Sequence, residues 1–222
     1  MARGWTGALV DLVLPVQCLG CGIPEIAWCS ACQDAACQLR LHSPDPAPVG
    51  FPPTVAAAEY AGDVRLAILG AKDRGRRDLV GPVATLLGWA AQAAVPPAER
   101  WLVVPMPSNP AAARARGGDH MVRIGLRATA GSGHLFVEAL SAGHSGEATR
   151  LGAAGRLADR RRSMRLRRDA AALLAGRDVL LVDDIVTTGS TLATAAALVR
   201  SAGARAVRAA VVAATEKEVT RR

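Results

Sequence analysis

Asp183 and Asp184 stand side by side directly after the apolar run Val179-Leu180-Leu181-Val182. Two adjacent carboxylates at the end of a buried strand repel each other and lose hydration. They are tolerated only where cations or hydroxyl donors meet them, as a sugar diol or a hydrated metal ion does. Ile185 and Val186 then lead into Thr187-Thr188-Gly189-Ser190-Thr191, followed by an Ala- and Leu-rich stretch. Small residues let the backbone approach a ligand closely, and their N–H groups converge on one anion. The hydroxyls add donors, and a helix beginning there adds a favourable dipole. A Ser or Thr helix cap alone would account for Ser190 or Thr191, but not for buried run, acid pair and hydroxyl-rich loop in that order. A Walker loop is excluded because no Gly-Lys-Ser/Thr occurs, and no Gly-x-Gly-x-x-Gly fingerprint follows this strand.

A second constellation lies at the other end of the chain. Cys18-x-x-Cys21 and Cys29-x-x-Cys32 are two paired thiol turns, and two such pairs complete a tetrahedral Zn²⁺ site. Gly20 and Gly22 suit the tight turn of the first pair. A cytoplasmic chain, which we expect here, disfavours disulfides. Cys37 is left over and is expected to be a small buried residue.

Basic residues form three groups. Lys72-Asp73-Arg74-Gly75-Arg76 is a turn after a helical segment, and Lys72 stands out because Lys217 is the only other lysine. Val103-Val104-Pro105-Met106-Pro107 ends a strand and opens a loop reaching Arg114 and Arg116; a plain proline-rich connection is the alternative reading. Arg150, Arg156, Arg160, Arg161, Arg162, Arg165, Arg167 and Arg168 crowd one Gly- and Arg-rich stretch. A basic lid, a solvated charge run and a nucleic-acid contact all fit them. His42, His120, His134 and His144 are scattered and are read as surface residues.

These groups must be positioned by a framework, and the composition bounds it. The 222 residues carry a formal net charge of +8, which favours anionic partners. Half are hydrophobic but only 3% aromatic, so the core is expected to consist of Ala, Val and Leu. No apolar run is long enough to cross a bilayer, and Met1–Val16 reads as an amphipathic helix ending at Pro15 rather than a signal sequence. We divide the chain into an N-terminal module over 1–42, a linker with five prolines over 43–53, and a domain over 54–222. Strands are expected at Val55–Tyr60, Trp101–Val104, Leu135–Leu140, Val179–Val182 and Val207–Ala213. Helices are expected at Val64–Ala71, Leu79–Ala94, His120–Ala130 and Thr191–Ala202, with a long mobile loop over Ser141–Asp169. Such alternation gives an α/β fold with a doubly wound parallel sheet, whose ligands sit at the carboxyl ends of the strands.

Val179–Thr191 resembles the motif that binds 5-phosphoribosyl-1-pyrophosphate (PRPP) in type I phosphoribosyltransferases. The resemblance implies that Asp183 and Asp184 are catalytic and face the ribose hydroxyls. Ile185, Val186, Thr187, Thr188, Gly189, Ser190 and Thr191 would wrap the 5-phosphate, with Mg²⁺ accompanying PRPP. Lys72, Pro105, Arg114, Arg116 and Arg156 would lie on the pyrophosphate side. The order of cysteine pairs, proline-rich linker, Lys72–Arg76, Val103–Pro107, Arg116-Gly117 and PRPP motif is similar to that of the ComF family, in which a zinc ribbon precedes a phosphoribosyltransferase-like domain. That likeness implies a link to competence, with single-stranded DNA or DNA-uptake helicase machinery as partners. The chain departs from the family twice. Gly118-Asp119-His120 stands where an aromatic, Asn and Gln are usual, and Arg156 is followed by Asp159 where Asn is usual. Three functions stay open at this point: a Mg²⁺-dependent transferase with an unidentified nitrogenous acceptor, a non-catalytic DNA-linked accessory protein, and a regulator sensing PRPP or a nucleotide.

Overall fold

The computed structural model describes residues 16–73, 75–97, 99–142 and 164–215. Runs such as Val179–Val182 and Ala209–Ala214 are apolar at consecutive positions, so both faces of an extended chain must be covered. They pair as neighbours at the centre of a six-stranded sheet in the order β1-β2-β8-β7-β3-β4. The strands are β1 (Arg40–His42), β2 (Thr54–Glu59), β3 (Leu102–Pro105), β4 (Leu135–Phe136), β7 (Asp178–Val186) and β8 (Ala206–Ala214). Every pairing is parallel except that of β1, which runs antiparallel on the outer edge of β2.

Helices cover both faces, giving the expected α/β architecture with a mainly parallel sheet. Helices α2 (Gly62–Asp73), α3 (Val80–Ala94) and α5 (His120–Ala128) supply Ile68, Leu86, Leu87 and Ile124 to one buried cluster. Helices α6 (Ala170–Leu174) and α7 (Ser190–Ser201) supply Leu174, Leu192 and Val199 to the other. A small antiparallel pair, β5 (Leu140–Ala142) with β6 (Met164–Leu166), joins that second face through Leu140 and Met164.

Several boundaries differ from the expected ones. The expected strand Leu135–Leu140 breaks after Phe136, and Leu140 begins β5 in the separate pair; β6 lies within the stretch read as loop. A further helix, α4 (Pro110–Ala115), forms in the proline- and alanine-rich loop. The Asn109 side-chain Oδ1 caps it, accepting from Ala111 N at 2.9 Å and Ala112 N at 3.2 Å, and Pro110 occupies the first turn. Strand β7 does not stop at Asp183 but carries the acid pair through to Val186.

The N-terminal segment is packed into the same body. Helix α1 (Ser30–Ala36) follows the second cysteine pair, and Cys18, Ala27 and Trp28 share the first buried cluster with Leu79, Val83 and Leu86. The proline-rich stretch 43–53 connects β1 to β2 with Pro44 and Pro52 buried. Its end is tied to the sheet, because Ala209 N donates to Pro53 O at 2.9 Å.

Candidate functional site

The carboxyl ends of β3 and β7 lie together. Pro105 pairs with Val182, and Met106 N donates to Val182 O at 2.9 Å. Asp183 and Asp184 follow immediately, at the position where ligands enter a parallel sheet. The chain then passes through Thr187 and Thr188, both exposed, to Gly189 and the start of α7.

Gly189 adopts φ 70°, a left-handed conformation that glycine tolerates without cost from a Cβ. Its carbonyl accepts the first bond of α7, from Ala193 N at 2.9 Å. No side chain caps this helix, in contrast to Asn109 on α4 and Asp119 on α5. The first N–H groups of a helix have no partner inside it, so those of Ser190, Thr191 and Leu192 face outward at the positive end of the dipole. Thr188 and Ser190 add hydroxyls 3.2 Å apart. An arrangement of this kind can hold a phosphate dianion.

Successive strand residues face opposite ways, and the two acids accordingly meet different surroundings. Asp184 is 5% exposed. Its Oδ2 accepts from Lys72 Nζ at 2.7 Å and from His120 Nε2 at 3.0 Å. Burial by itself would raise the Asp184 carboxyl, but the His120 hydrogen bond and the Lys72 charge hold it below the usual carboxylate range. Burial would likewise lower the Lys72 ammonium, yet the facing carboxylates raise it. Among the described residues no lysine or arginine hydrogen-bonds Asp183, although the Lys72 charge pulls its carboxyl down in part. Burial and then the neighbouring Asp184 charge push its carboxyl well above the ordinary range. The pair therefore divides into a clamped acid whose carboxyl is held low and a neighbour whose carboxyl is pushed up.

The contact from α5 extends further. His120 Nδ1 lies 2.9 Å from Ser108 Oγ, which donates to Asp119 Oδ1 at 2.7 Å. Asp119 also accepts from Ser108 N at 2.9 Å and caps α5 through Met121 N at 2.8 Å. The loop after β3 is thus tied to the acid pair through two side chains. His120 is 4% exposed, so the reading of it as a surface residue is corrected. Its ring is buried because it fills the gap between α5 and the end of β7 while satisfying a buried carboxylate. No residue near it in the sequence signalled this, since its partner lies 64 positions away.

The other expected residues fall as follows. Arg116 Nη1 donates to Asp73 Oδ1 at 3.3 Å, which brings it beside Lys72, and its Nε is buried without a hydrogen-bond partner. Arg114 is exposed on α4, and Pro105 ends β3. Arg156 lies outside the described residues, as do His144 and the arginines from 150 to 162.

Cys18, Cys21, Cys29 and Cys32 place their sulfurs within 4.8 Å of one another. Cys21 Sγ and Cys29 Sγ are 3.7 Å apart, close to the tetrahedral edge expected about Zn²⁺. Cys29 N donates to Cys18 Sγ at 3.3 Å; with backbone donors from Cys29 and Cys21, the Cys18 thiol is lowered to about 6. Four sulfurs at this spacing fit a structural zinc ion. Among the described residues no other group of three His, Cys, Asp or Glu side chains is gathered this way. Cys37 is half-buried and packs against the first cluster. Among the described residues no helix is long and apolar enough to cross a membrane.

The family model described as the phosphoribosyl transferase domain matches residues 142–221, about a third of the chain. No curated protein matches it. Among solved structures, the chain is similar to glutamine phosphoribosylpyrophosphate (PRPP) amidotransferase from B. subtilis, at 16% identity and TM-score 0.46, covering 65% of this chain and 30% of that one. It is similar to phosphoribosylpyrophosphate synthetase from Mycobacterium smegmatis at 21% identity and TM-score 0.37, covering 60% and 33%. A hypoxanthine phosphoribosyltransferase from Staphylococcus aureus matches at 18% identity and TM-score 0.36, covering 63% and 68%. The chain spans about a third of the length of the first two.

Proposed function

We propose that the chain binds PRPP at the carboxyl ends of β3 and β7 and transfers its 5-phosphoribosyl group to a nitrogenous acceptor. One observation carries this reading: the uncapped, glycine-led start of α7 follows, beyond residues 185–188, the half-buried Asp183 and buried Asp184 at the end of a central strand. The family match over 142–221 includes all of that unit and supports the same assignment. The 5-phosphate would sit on the Ser190–Leu192 N–H groups, and the ribose hydroxyls would face Asp183. Lys72 and Arg116, on the α2 side, would meet the pyrophosphate.

In the transfer, the bond from the anomeric carbon to pyrophosphate breaks and its electron pair leaves with the pyrophosphate. The acceptor nitrogen supplies the pair for the new bond, and its proton passes to solvent or to the leaving group. Mg²⁺ carried on the pyrophosphate would supply charge neutralisation there. Asp184, held by Lys72 and His120, fixes the end of β7 while Asp183 is left to the ligand.

We place the chain with the ComF family on the order of its motifs, with residues 1–42 as a zinc-ribbon module before a transferase-like domain. Calorimetry with PRPP and Mg²⁺ tests the reading: wild-type protein binds, and Asp183→Asn binds at least about tenfold more weakly through loss of a charged acceptor. Absence of binding by the folded, zinc-loaded wild type would overturn it. Pyrophosphate release across a panel of bases then separates a transferase from a PRPP-sensing regulator.

A further inference from the structure

The segment 43–53 reads as a linker in the sequence, but its side chains reach the phosphate loop. A methyl group built on Gly189 would lie 2.6 Å from Phe51 Cε2, 2.7 Å from Phe51 Cδ2 and 2.8 Å from Pro44 Cγ. All three distances are well inside van der Waals contact, so the ring of Phe51 and the ring of Pro44 occupy the space beside this one glycine. The segment is also fastened near the far end of the same helix, where Arg200 Nη1 donates to Gly50 O at 2.6 Å. Phe51 N donates to Pro48 O at 3.0 Å and Thr54 Oγ1 to Pro52 O at 2.8 Å, which fixes the turn that presents the ring.

We infer that Phe51, backed by Pro44, is a positioning residue for the phosphate subsite, supplied by the stretch between the cysteine module and the transferase-like domain. The inference rests on the PRPP reading above. Its physical basis is the freedom of glycine. A Gly in the left-handed region crosses readily to other conformations, and each crossing would turn the Ser190 N–H away from a bound anion. Two rigid rings against its Cα side remove the room for that movement, so the N–H groups stay converged before the ligand arrives. Phe51 is only half-buried, although it packs against the second buried cluster. Its position is explained by the loop it covers rather than by core filling alone.

The test compares wild type, Phe51→Ala and Phe51→Leu in the full, zinc-loaded chain. Calorimetry with ribose 5-phosphate reads the subsite, and amide hydrogen exchange reads the loop. Phe51→Ala is expected to weaken ribose 5-phosphate about tenfold and to speed exchange at Ser190 and Thr191, with α3 amides unchanged. Phe51→Leu, which restores bulk, is expected to recover most of the affinity. Phe51→Ala binding within twofold of wild type, or Phe51→Leu as weak as Phe51→Ala, overturns the inference while leaving PRPP binding intact. A wild type that binds neither ribose 5-phosphate nor PRPP overturns both. Should the alanine variant unfold, the folded Phe51→Leu decides: ribose 5-phosphate affinity near wild type with unchanged exchange at Ser190 and Thr191 supports the role, whereas an about tenfold loss of affinity, or affinity kept while those amides exchange faster, overturns it.

Discussion

One oxygen of Asp184 takes both side-chain donors: Oδ2 is 2.7 Å from Lys72 Nζ and 3.0 Å from His120 Nε2. The donors come from α2 and α5, separate helices on one face of the sheet, so the end of β7 is held from two directions. Because the carboxylate is 5% exposed, water cannot replace either donor.

His120→Gln should therefore keep the site and His120→Ala should not. A glutamine amide reaches Asp184 with a donor, whereas alanine leaves a buried carboxylate with one partner fewer, costing on the order of 1–3 kcal/mol. Thermal unfolding and PRPP calorimetry on the two variants check this. Equal losses in both would show that the hydrogen bond to Asp184 is not what His120 provides.

The two acids should respond to pH in opposite senses. Asp184 is depressed, so its contribution to stability is present above the unfolded carboxylate pKa and lost as pH falls through the folded one. Asp183 is raised, so its ionisation opposes folding increasingly as pH climbs from the unfolded pKa to the folded one. Asp183→Asn is expected to stabilise the ligand-free chain by about 1 kcal/mol at neutral pH and by little near pH 4. Asp184→Asn is expected to destabilise at neutral pH. Denaturant titrations at several pH values would refute the assignment if the signs were reversed.

Gly189→Ala combines a left-handed residue with a Cβ placed against Phe51 and Pro44. The conformational part alone costs about 1–2 kcal/mol. The variant should lose ribose 5-phosphate binding even where it remains folded; circular dichroism and calorimetry together separate the two effects.

Zinc removal should loosen more than the cysteine turns. Cys18 and Trp28 lie in the cluster that holds α3 to the sheet, so chelation or Cys32→Ser is expected to lower the stability of the whole chain by at least about 2 kcal/mol. A calorimetric transition of the transferase-like domain that ignores the metal would contradict this.

The sheet, its main helices and the turn into α7 were legible because they depend on local order: continuous apolar runs for β7 and β8, and a hydroxyl-rich turn before an alanine-rich helix. The paired cysteines were legible for the same reason. What escaped were relations across the sequence. His120 and Asp184 are 64 positions apart, and nothing near His120 tells that its ring meets a carboxylate. Helix α4 was hidden by Pro105, Pro107 and Pro110 in one loop, although Pro110 is compatible with a first turn. The stretch 43–53 has the composition of a linker, and only the fold shows what its rings lie against.

The short β1 carries one more implication. It covers the outer edge of β2 through Arg40–Ala56, Leu41–Val55 and His42–Thr54. If the chain were cut at residue 53 to isolate its larger domain, the backbone groups of β2 would be left bare on that side. An exposed, mostly apolar strand edge recruits other strands. A truncated form is therefore expected to self-associate, so the N-terminal segment also keeps the protein from polymerising through its own sheet.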